Sequence, residues 1–476
     1  MKLSQLLENL PYGSTDIEVK DITNDSRKVK EGTLFVCING TTVDGHKFAK
    51  NAADKGACAV LAEHNVGVDS QVIVSDSKKA YAKVCSAFFG NPKDKLKLIG
   101  VTGTNGKTST TMLIKSMLEK FGHKVGLIGT IENLIGDKAI PTENTTPDAY
   151  ELHKVLKMMV DEGCEYVVME VSSHALDQER VYGLEFEAGV FTNLTQDHLD
   201  YHLTIENYAK AKRKLFDMTR AAIVNSDDEW SKLMTETIKC HLSTYAVNDA
   251  HAEYLAKGIK YNSDGVVFEL LSSTKIARVR LKTPGKFSVY NGLAAASCLI
   301  TLGFDFEKTA QYLSECYGIK GRAEVVEIGK DFTVIIDYAH TPDGIENILS
   351  TMNEIKKGRL VTLFGCGGDR DSSKRPKMGK MAADLSDFCI VTSDNPRTED
   401  PQAIIDDILV GMKDTKTPYK VIVNREEAIK FALQNAQKDD IIILAGKGHE
   451  TYQIIGKQKN HFDEREVVQK AIAELS

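Results

Sequence analysis

The stretch Gly100-Val101-Thr102-Gly103-Thr104-Asn105-Gly106-Lys107-Thr108 gathers residue types that together hold phosphate. Glycines free backbone N–H groups to face an anion, Lys107 supplies a point charge, and the Thr108 hydroxyl can ligate magnesium. The spacing departs from G-x-x-x-x-G-K-[ST], which would put its first glycine at 101, where this chain has Val101, with glycines at 100 and 103 instead. ATP or GTP is the ligand such a loop takes.

A phosphate loop needs a strand before it and a helix after it. Residues 96–101 form an apolar run that reads as a buried strand. Residues 109–121 place Met112, Leu113, Ser116 and Met117 at helical spacing. Short apolar runs at 125–131, 166–171, 188–193 and 221–225 alternate with helix-length segments, which predicts a parallel sheet covered by helices on both faces. Ligands in such sheets gather at the carboxyl ends of the strands. Polar clusters stand there: Asn144-Thr145-Thr146-Pro147, Glu170-Val171-Ser172-Ser173-His174, and 192–202 with Asp197, His198, Asp200 and His202. A carboxylate and imidazoles at mouths shared with the phosphate loop predict a magnesium and substrate site.

Residues 259–283 change period around the turn Asn262-Ser263-Asp264-Gly265, predicting an antiparallel insert. From 325 the alternation resumes, with strands expected at 333–336, 360–364, 388–392, 421–423 and 441–444. Their ends carry Asp337-Tyr338-Ala339-His340, Gly365-Cys366-Gly367-Gly368-Asp369-Arg370-Asp371, Ser393-Asp394-Asn395-Pro396-Arg397 and Ala445-Gly446-Lys447-Gly448-His449-Glu450. The run at 365–368 lacks G-x-G-x-x-G and is not a dinucleotide fingerprint. Before residue 95, strands are expected at 33–38, 57–62 and 71–74 among short helices. The loop at 40–48 reads by itself as a turn. The expectation is an α/β protein of three domains: a mixed α/β domain (1–95), a phosphate-loop parallel-sheet domain (96–324) and a Rossmann-like domain (325–476).

Composition narrows the class. The 476 residues are 42% hydrophobic and 27% charged, ordinary for a globular protein, and the net charge of −7 disfavours nucleic acid as a partner. No apolar run approaches the ~20 residues of a membrane span. No secretory leader is read at the N-terminus. Nine scattered cysteines without C-x-x-C read as reduced core residues. A cytoplasmic monomer is expected.

Several motifs, in order, give the chain a family resemblance. Thr102-Gly103-Thr104-Asn105-Gly106-Lys107-Thr108, Glu170 to His174, Asn193 to Asp200, Asn291-Gly292-Leu293-Ala294-Ala295, Gly321-Arg322 and Asp337 to His340 resemble the motifs of the Mur ligases, which build the peptide stem of bacterial cell-wall precursors. The resemblance spans the whole chain and accounts for the displaced first glycine. Asp25-Ser26-Arg27 and Asp44-Gly45-His46-Lys47-Phe48 resemble the UDP-binding domain of the branch that extends UDP-N-acetylmuramoyl-L-alanyl-D-glutamate, which reassigns the 40–48 loop to substrate binding. Asp394-Asn395-Pro396-Arg397 is the form that goes with meso-diaminopimelate rather than lysine. The chemistry agrees, because Arg397 can pair with the distal carboxylate that lysine lacks.

The resemblance implies roles. Gly103, Thr104, Asn105, Gly106, Lys107, Thr108 and Thr110, with Asn291, Arg322 and Asp337, would bind ATP. Ser26, Asp44, Gly45, His46, Thr145, Thr146, Ser172, Gln178 and Arg180 would bind the UDP-linked dipeptide. Arg370, Asp394, Asn395, Pro396, Arg397, Gly446 and Glu450 would bind diaminopimelate, with Glu450 and the Gly446 carbonyl on an ammonium. Lys107, Glu170, His198 and a carbamylated lysine would be catalytic, and Mg2+ would sit on Thr108, Glu170, His198 and the carbamate. Lys212 is the aligned position for the carbamate, with Lys210 and Lys214 close by. The implied reaction passes through an acyl phosphate. The rivals are a lysine-adding relative, a sister ligase such as folylpolyglutamate synthetase, and a slow ATPase switch that makes no amide bond.

Overall fold

Alternation of apolar runs with helices does produce parallel sheets, and the chain divides them between two units in the computed structural model. The structure describes residues 1–7, 17–40, 43–136, 138–142 and 144–475. One unit comprises 1–254 with 294–305, the other 255–293 with 306–476.

The first unit holds two sheets. β1 (Asp21–Thr23), β2 (Thr33–Val36), β3 (Ala57–Ala62) and β4 (Gln71–Ile73) form a four-stranded sheet, parallel throughout. The phosphate-loop sheet follows, with β5 (Lys97–Thr102), β6 (Val125–Ile128), β7 (Asn133–Ile135), β8 (Lys138–Ile140), β9 (Tyr166–Glu170), β10 (Phe186–Phe191), β11 (Thr219–Asn225) and β12 (His241–Ala246). Its order is β12-β11-β10-β5-β9-β6-β7-β8, parallel from β12 to β6. The β7–β8 hairpin at the edge is antiparallel, a feature the sequence reading lacks. The run expected at 125–131 stops at Ile128 because Thr130 leaves the ladder to bind Glu170 through its amide and hydroxyl.

The helix after β5 spans Lys107–Lys120 and starts earlier than expected, so Lys107 and Thr108 lie in its first turn. Their amides are among those a helix leaves unpaired, which points them at an anion.

In the second unit, β13 (Tyr254–Asn262), β14 (Gly265–Leu271) and β15 (Ile276–Leu281) pair antiparallel, as the turn at Asn262–Gly265 predicts. The C-terminal sheet has six strands: β16 (Glu324–Val326), β17 (Thr333–Asp337), β18 (Leu360–Phe364), β19 (Phe388–Val391), β20 (Tyr419–Val421) and β21 (Ile441–Ala445), in the order β16-β17-β21-β18-β19-β20. All pairs are parallel except β16–β17. Ile335, Leu360, Phe364, Ile441 and Ile443 pack on one face and Val334, Ile336, Val361, Leu363, Ile442 and Leu444 on the other. Burial on both faces is what makes each strand a continuous apolar run. The strand expected at 421–423 lies at Tyr419–Val421, because Asn424 already caps the next helix by accepting the Glu427 amide. A hairpin of β22 (Tyr452–Ile455) and β23 (Gln458–His461) follows. Among the described residues no helix is long and apolar enough to cross a membrane.

Candidate functional site

The phosphate loop is shaped by the segment after β10. Gly103 adopts φ +148°, and a Cβ there would stand 1.9 Å from Thr192 Oγ1, so glycine is obligatory. The Asn193 carbonyl accepts the Thr104 amide (2.8 Å) and its side-chain oxygen accepts the Asn105 amide (2.9 Å). Thr104 Oγ1 accepts the Thr195 amide and contacts Tyr208 Oη at 3.2 Å. Asn193 and Thr195 therefore act first as clamps on the loop. Lys107 Nζ donates to the carbonyls of Gly103 (3.0 Å) and Thr104 (2.8 Å), folded over the cradle that phosphates would fill. Thr110, in the second turn of the helix Lys107–Lys120, is fully buried and its hydroxyl has no hydrogen-bond partner.

Glu170, 1% exposed at the end of β9, is the acidic centre of the first unit. It accepts from the Thr108 hydroxyl, the Thr130 amide and the Thr130 hydroxyl, each at 2.9 Å. Thr130, which holds Glu170 in place, is a contact that sequence reading missed. Among the described residues no group of three or more His, Cys, Asp or Glu side chains forms a metal cage. Thr108 and Glu170 instead offer the few hard oxygen donors that suit magnesium shared with a nucleotide.

Of the lysines left open by spacing, Lys212 is 1% exposed whereas Lys210 is exposed and Lys214 pairs with Asp177. Lys212 Nζ donates to the Gly103 carbonyl at 2.7 Å and lies 4.4 Å from the Tyr208 ring centroid. Burial, and then the nearby Lys107 charge, push its ammonium far below the usual lysine range. The site thus favours the neutral amine, the form that can take up carbon dioxide.

His198 sits in the left-handed region at φ 52°, with its ring edge-on to His174 at 4.8 Å. His174 also touches the rings of Tyr201 (4.3 Å) and His202 (5.4 Å). Burial holds both His174 and His202 below the ordinary imidazole value.

The residues expected to hold the dipeptide form one network. Arg180 donates to the Thr146 carbonyl (2.9 Å) and to Gln178 Oε1 (2.7 and 3.1 Å). The Thr146 hydroxyl donates to the Glu170 carbonyl and accepts the Ser172 amide, while Thr145 meets Thr130 Oγ1 at 3.0 Å. Gln178 and Arg180 line a cavity of ≈ 380 Å³ together with Asn24, Lys78, Asn144 and Asp148. Ser26, Asp44, Gly45 and His46 are not among its lining residues. His46, 8% exposed, is fully engaged: Nδ1 lies 2.6 Å from Asp44 Oδ1 and Nε2 accepts the Glu63 amide at 3.0 Å. His46 shapes the loop through these two contacts. Asn24 and Lys78 are the cavity residues that motif reading missed.

The second unit carries the remaining candidates. Arg322 lies 5.0 Å from the Tyr338 ring centroid with its Nε buried and unpartnered. Asp337 accepts the amides of Ala323 (2.7 Å) and Ala339 (2.8 Å), and so fixes the backbone on either side of Arg322 and His340. Asn291 is 7% exposed.

Arg397 is held at φ 52°, its amide bonded to the Ile454 carbonyl and its Nη1 donating to the Gly368 carbonyl at 2.8 Å. Among the described residues its Nε and Nη2 make no hydrogen bond. Arg370, exposed on the loop after β18, comes near Gly367 as Arg397 does, and among the described residues its side chain bonds only the Asp369 carbonyl at 3.4 Å. Asn395 donates to Glu450 Oε2 (2.8 Å) and accepts the Ile454 amide (2.9 Å), and Pro396 follows it in the turn. Glu450 Oε2 also accepts from Lys447 Nζ at 3.0 Å. Oε2 of Glu450 is therefore engaged by both Asn395 and Lys447. Asp394 Oδ2 is buried without a hydrogen-bond partner, close against Gly446.

Comparison with known proteins matches this geometry over the whole chain. Residues 18–89 match the profile described as Mur ligase family, catalytic domain, residues 101–299 the Mur ligase middle domain, and residues 321–448 the Mur ligase glutamate ligase domain. The chain is 49% identical over 482 residues to the UDP-N-acetylmuramoyl-L-alanyl-D-glutamate–2,6-diaminopimelate ligase of Caldanaerobacter subterraneus, covering 100% of this chain and 99% of the relative. It is 46% identical over 487 residues to the protein of that name from Clostridioides difficile, with both chains covered in full (100%). A solved structure of a ligase of that name superposes with a TM-score of 0.76 at 32% identity, covering 100% and 99% of the two chains. Folylpolyglutamate synthase of Mycobacterium tuberculosis, 16% identical with a TM-score of 0.61 over 83% of this chain and 94% of that one, shares the fold.

Proposed function

The chain belongs to the Mur ligase family, and on that premise we propose that it joins meso-2,6-diaminopimelate to the D-glutamate γ-carboxylate of UDP-N-acetylmuramoyl-L-alanyl-D-glutamate, consuming ATP, in peptidoglycan precursor synthesis. The observation that carries the choice of acceptor is Arg397, locked by Gly368 and Ile454 with one guanidinium edge presented. A fixed fork of N–H donors matches a carboxylate in two bonds, and diaminopimelate has a distal carboxylate where lysine has none.

The first-unit geometry supports the activation step. Lys107 and the amides of 103–108 take the β- and γ-phosphates, Lys107 exchanging its two loop carbonyls for phosphate oxygens. Thr145, Thr146, Ser172, Gln178 and Arg180 place the dipeptide so that its γ-carboxylate attacks the γ-phosphorus. ADP leaves and an acyl phosphate forms. The diaminopimelate amine then attacks the acyl carbon, an amide forms, and phosphate departs as the amine loses its proton to solvent. Thr108 and Glu170 would hold one Mg2+, and His198 with a carbamate on Lys212 a second; bound there, the metal offsets phosphate charge. Asn291, Arg322 and Asp337 serve the nucleotide, and Arg370, Asp394, Asn395, Pro396, Gly446 and Glu450 the amino-acid end of diaminopimelate. The three domains at 1–95, 96–324 and 325–476, a monomer and a cytoplasmic location complete the reading.

Incubation with ATP, the UDP-linked dipeptide and diaminopimelate tests it. One ADP, one phosphate and one UDP-linked tripeptide should appear together. Phosphate release with a folate and glutamate but not with the dipeptide, or ATP hydrolysis without any new amide, would contradict it.

A further inference from the structure

Lys447 has no part in the reaction as derived so far, yet its ammonium is wholly buried. Two glycines in the left-handed region flank it, Gly446 at φ +115° and Gly448 at φ +54°, and the turn they make sends the lysine side chain inward. Its Nζ donates to Glu450 Oε2 (3.0 Å) and reaches Asn395 Oδ1 at 3.3 Å. The same Glu450 oxygen accepts from Asn395 Nδ2, so Lys447, Asn395 and Glu450 close a three-membered ring of hydrogen bonds.

The surrounding charges make this ring informative. Arg425 is engaged elsewhere, with Glu464 at 2.8 Å and the Ala445 carbonyl at 2.8 Å. Asp394 Oδ2, 4.0 Å from the Arg425 guanidinium, has no hydrogen-bond partner. Lys447 is thus the cation that meets Glu450, while Arg425 serves Glu464 and lies near Asp394. A buried lysine is costly unless paired, and here Glu450 and Asn395 supply the pairing, so the three side chains hold one another in place.

We propose that Lys447 is a positioning residue for the amino-acid acceptor: it pins Glu450 and Asn395 so that Glu450 Oε1 meets the acceptor's ammonium. The proposal rests on the reading that Glu450 binds the amino-acid end of diaminopimelate. Lys447 does not touch the substrate in this scheme; it acts through Glu450.

Steady-state kinetics of the full chain with Lys447→Met, Glu450→Gln and the double variant test it, varying diaminopimelate at saturating ATP and dipeptide. Lys447→Met should raise the KM for diaminopimelate about ten- to a hundredfold, the worth of a charged hydrogen bond, with kcat and the KM for ATP within about twofold of the parent. Added to Glu450→Gln it should raise that KM little further, because both changes break one interaction. Additive effects, or equal damage to the KM for ATP, would show a merely structural lysine and overturn the proposal. An unchanged KM in Lys447→Met beside a raised KM in Glu450→Gln would overturn it alone. An unchanged KM in Glu450→Gln would overturn the placement of Glu450, and the proposal with it. Should Lys447→Met not fold, Lys447→Gln keeps a donor for Glu450; an intermediate rise in KM supports the proposal and no rise overturns it.

Discussion

Lys212 Nζ lies 2.7 Å from the carbonyl oxygen of Gly103, inside the protein, so the helix Ile205–Arg213 and the phosphate loop share one buried contact. Burial and the Lys107 charge both oppose its ammonium form. A neutral amine favoured beside the phosphate loop would be the starting point for a carbamate, which would turn a cation into an oxygen ligand.

Replacing Lys212 by alanine should therefore lower turnover by about a hundredfold or more, and an added short carboxylate such as formate or acetate should restore part of it. Full activity without rescue would remove Lys212 from the site.

Gly103→Ala should abolish nucleotide binding while leaving the fold intact. The new methyl would stand 1.9 Å from Thr192 Oγ1 and 3.0 Å from the Asn193 carbonyl, and these are the groups that shape the loop. Calorimetric titration with ATP reads the loss, and an unchanged circular dichroism spectrum shows the fold. Normal ATP affinity would mean that the loop relaxes and Asn193 is no clamp.

How far the sequence spoke depended on how each residue acts. β3 and β18 appear at the expected residues because burial on both faces leaves an unbroken apolar run. The phosphate loop and Glu170 were legible because their residue types carry the chemistry directly. Thr130, Asn193 and Lys447 were not, since each works by gripping another residue, and Asn193 grips Asn105 from 88 positions away. No spacing rule reports such a bond. His46 adds a task its motif does not announce, since its ring nitrogens meet the Glu63 amide and Asp44 and so brace the loop.

A pH effect on stability follows from His153, which is fully buried on the helix Ala149–Asp161 with neither ring nitrogen hydrogen-bonded. Burial lowers its pKa from 6.5 to about 4. The unfolded chain then takes up a proton that the folded chain refuses, so stability is complete above about pH 6.5 and is lost as pH falls toward 4. The full loss is about 3 kcal/mol. Thermal unfolding between pH 7 and pH 5 should show a falling Tm, and His153→Leu should flatten that slope. An identical slope in the variant would place the acid sensitivity elsewhere.

Arg397→Ala should raise the KM for diaminopimelate about ten- to a hundredfold and leave ATP binding unchanged, because the guanidinium is anchored far along the chain from the phosphate loop. An unaltered KM would refute the role of Arg397 as the carboxylate clamp.

The central claim is that this chain is built for a diaminopimelate acceptor, and a competition between acceptors tests it most directly. With ATP and UDP-N-acetylmuramoyl-L-alanyl-D-glutamate present, kcat/KM should favour meso-diaminopimelate over L-lysine by a factor on the order of 10⁴, since lysine leaves Arg397 without its anion. Comparable turnover of lysine, or a preference for it, would contradict the account.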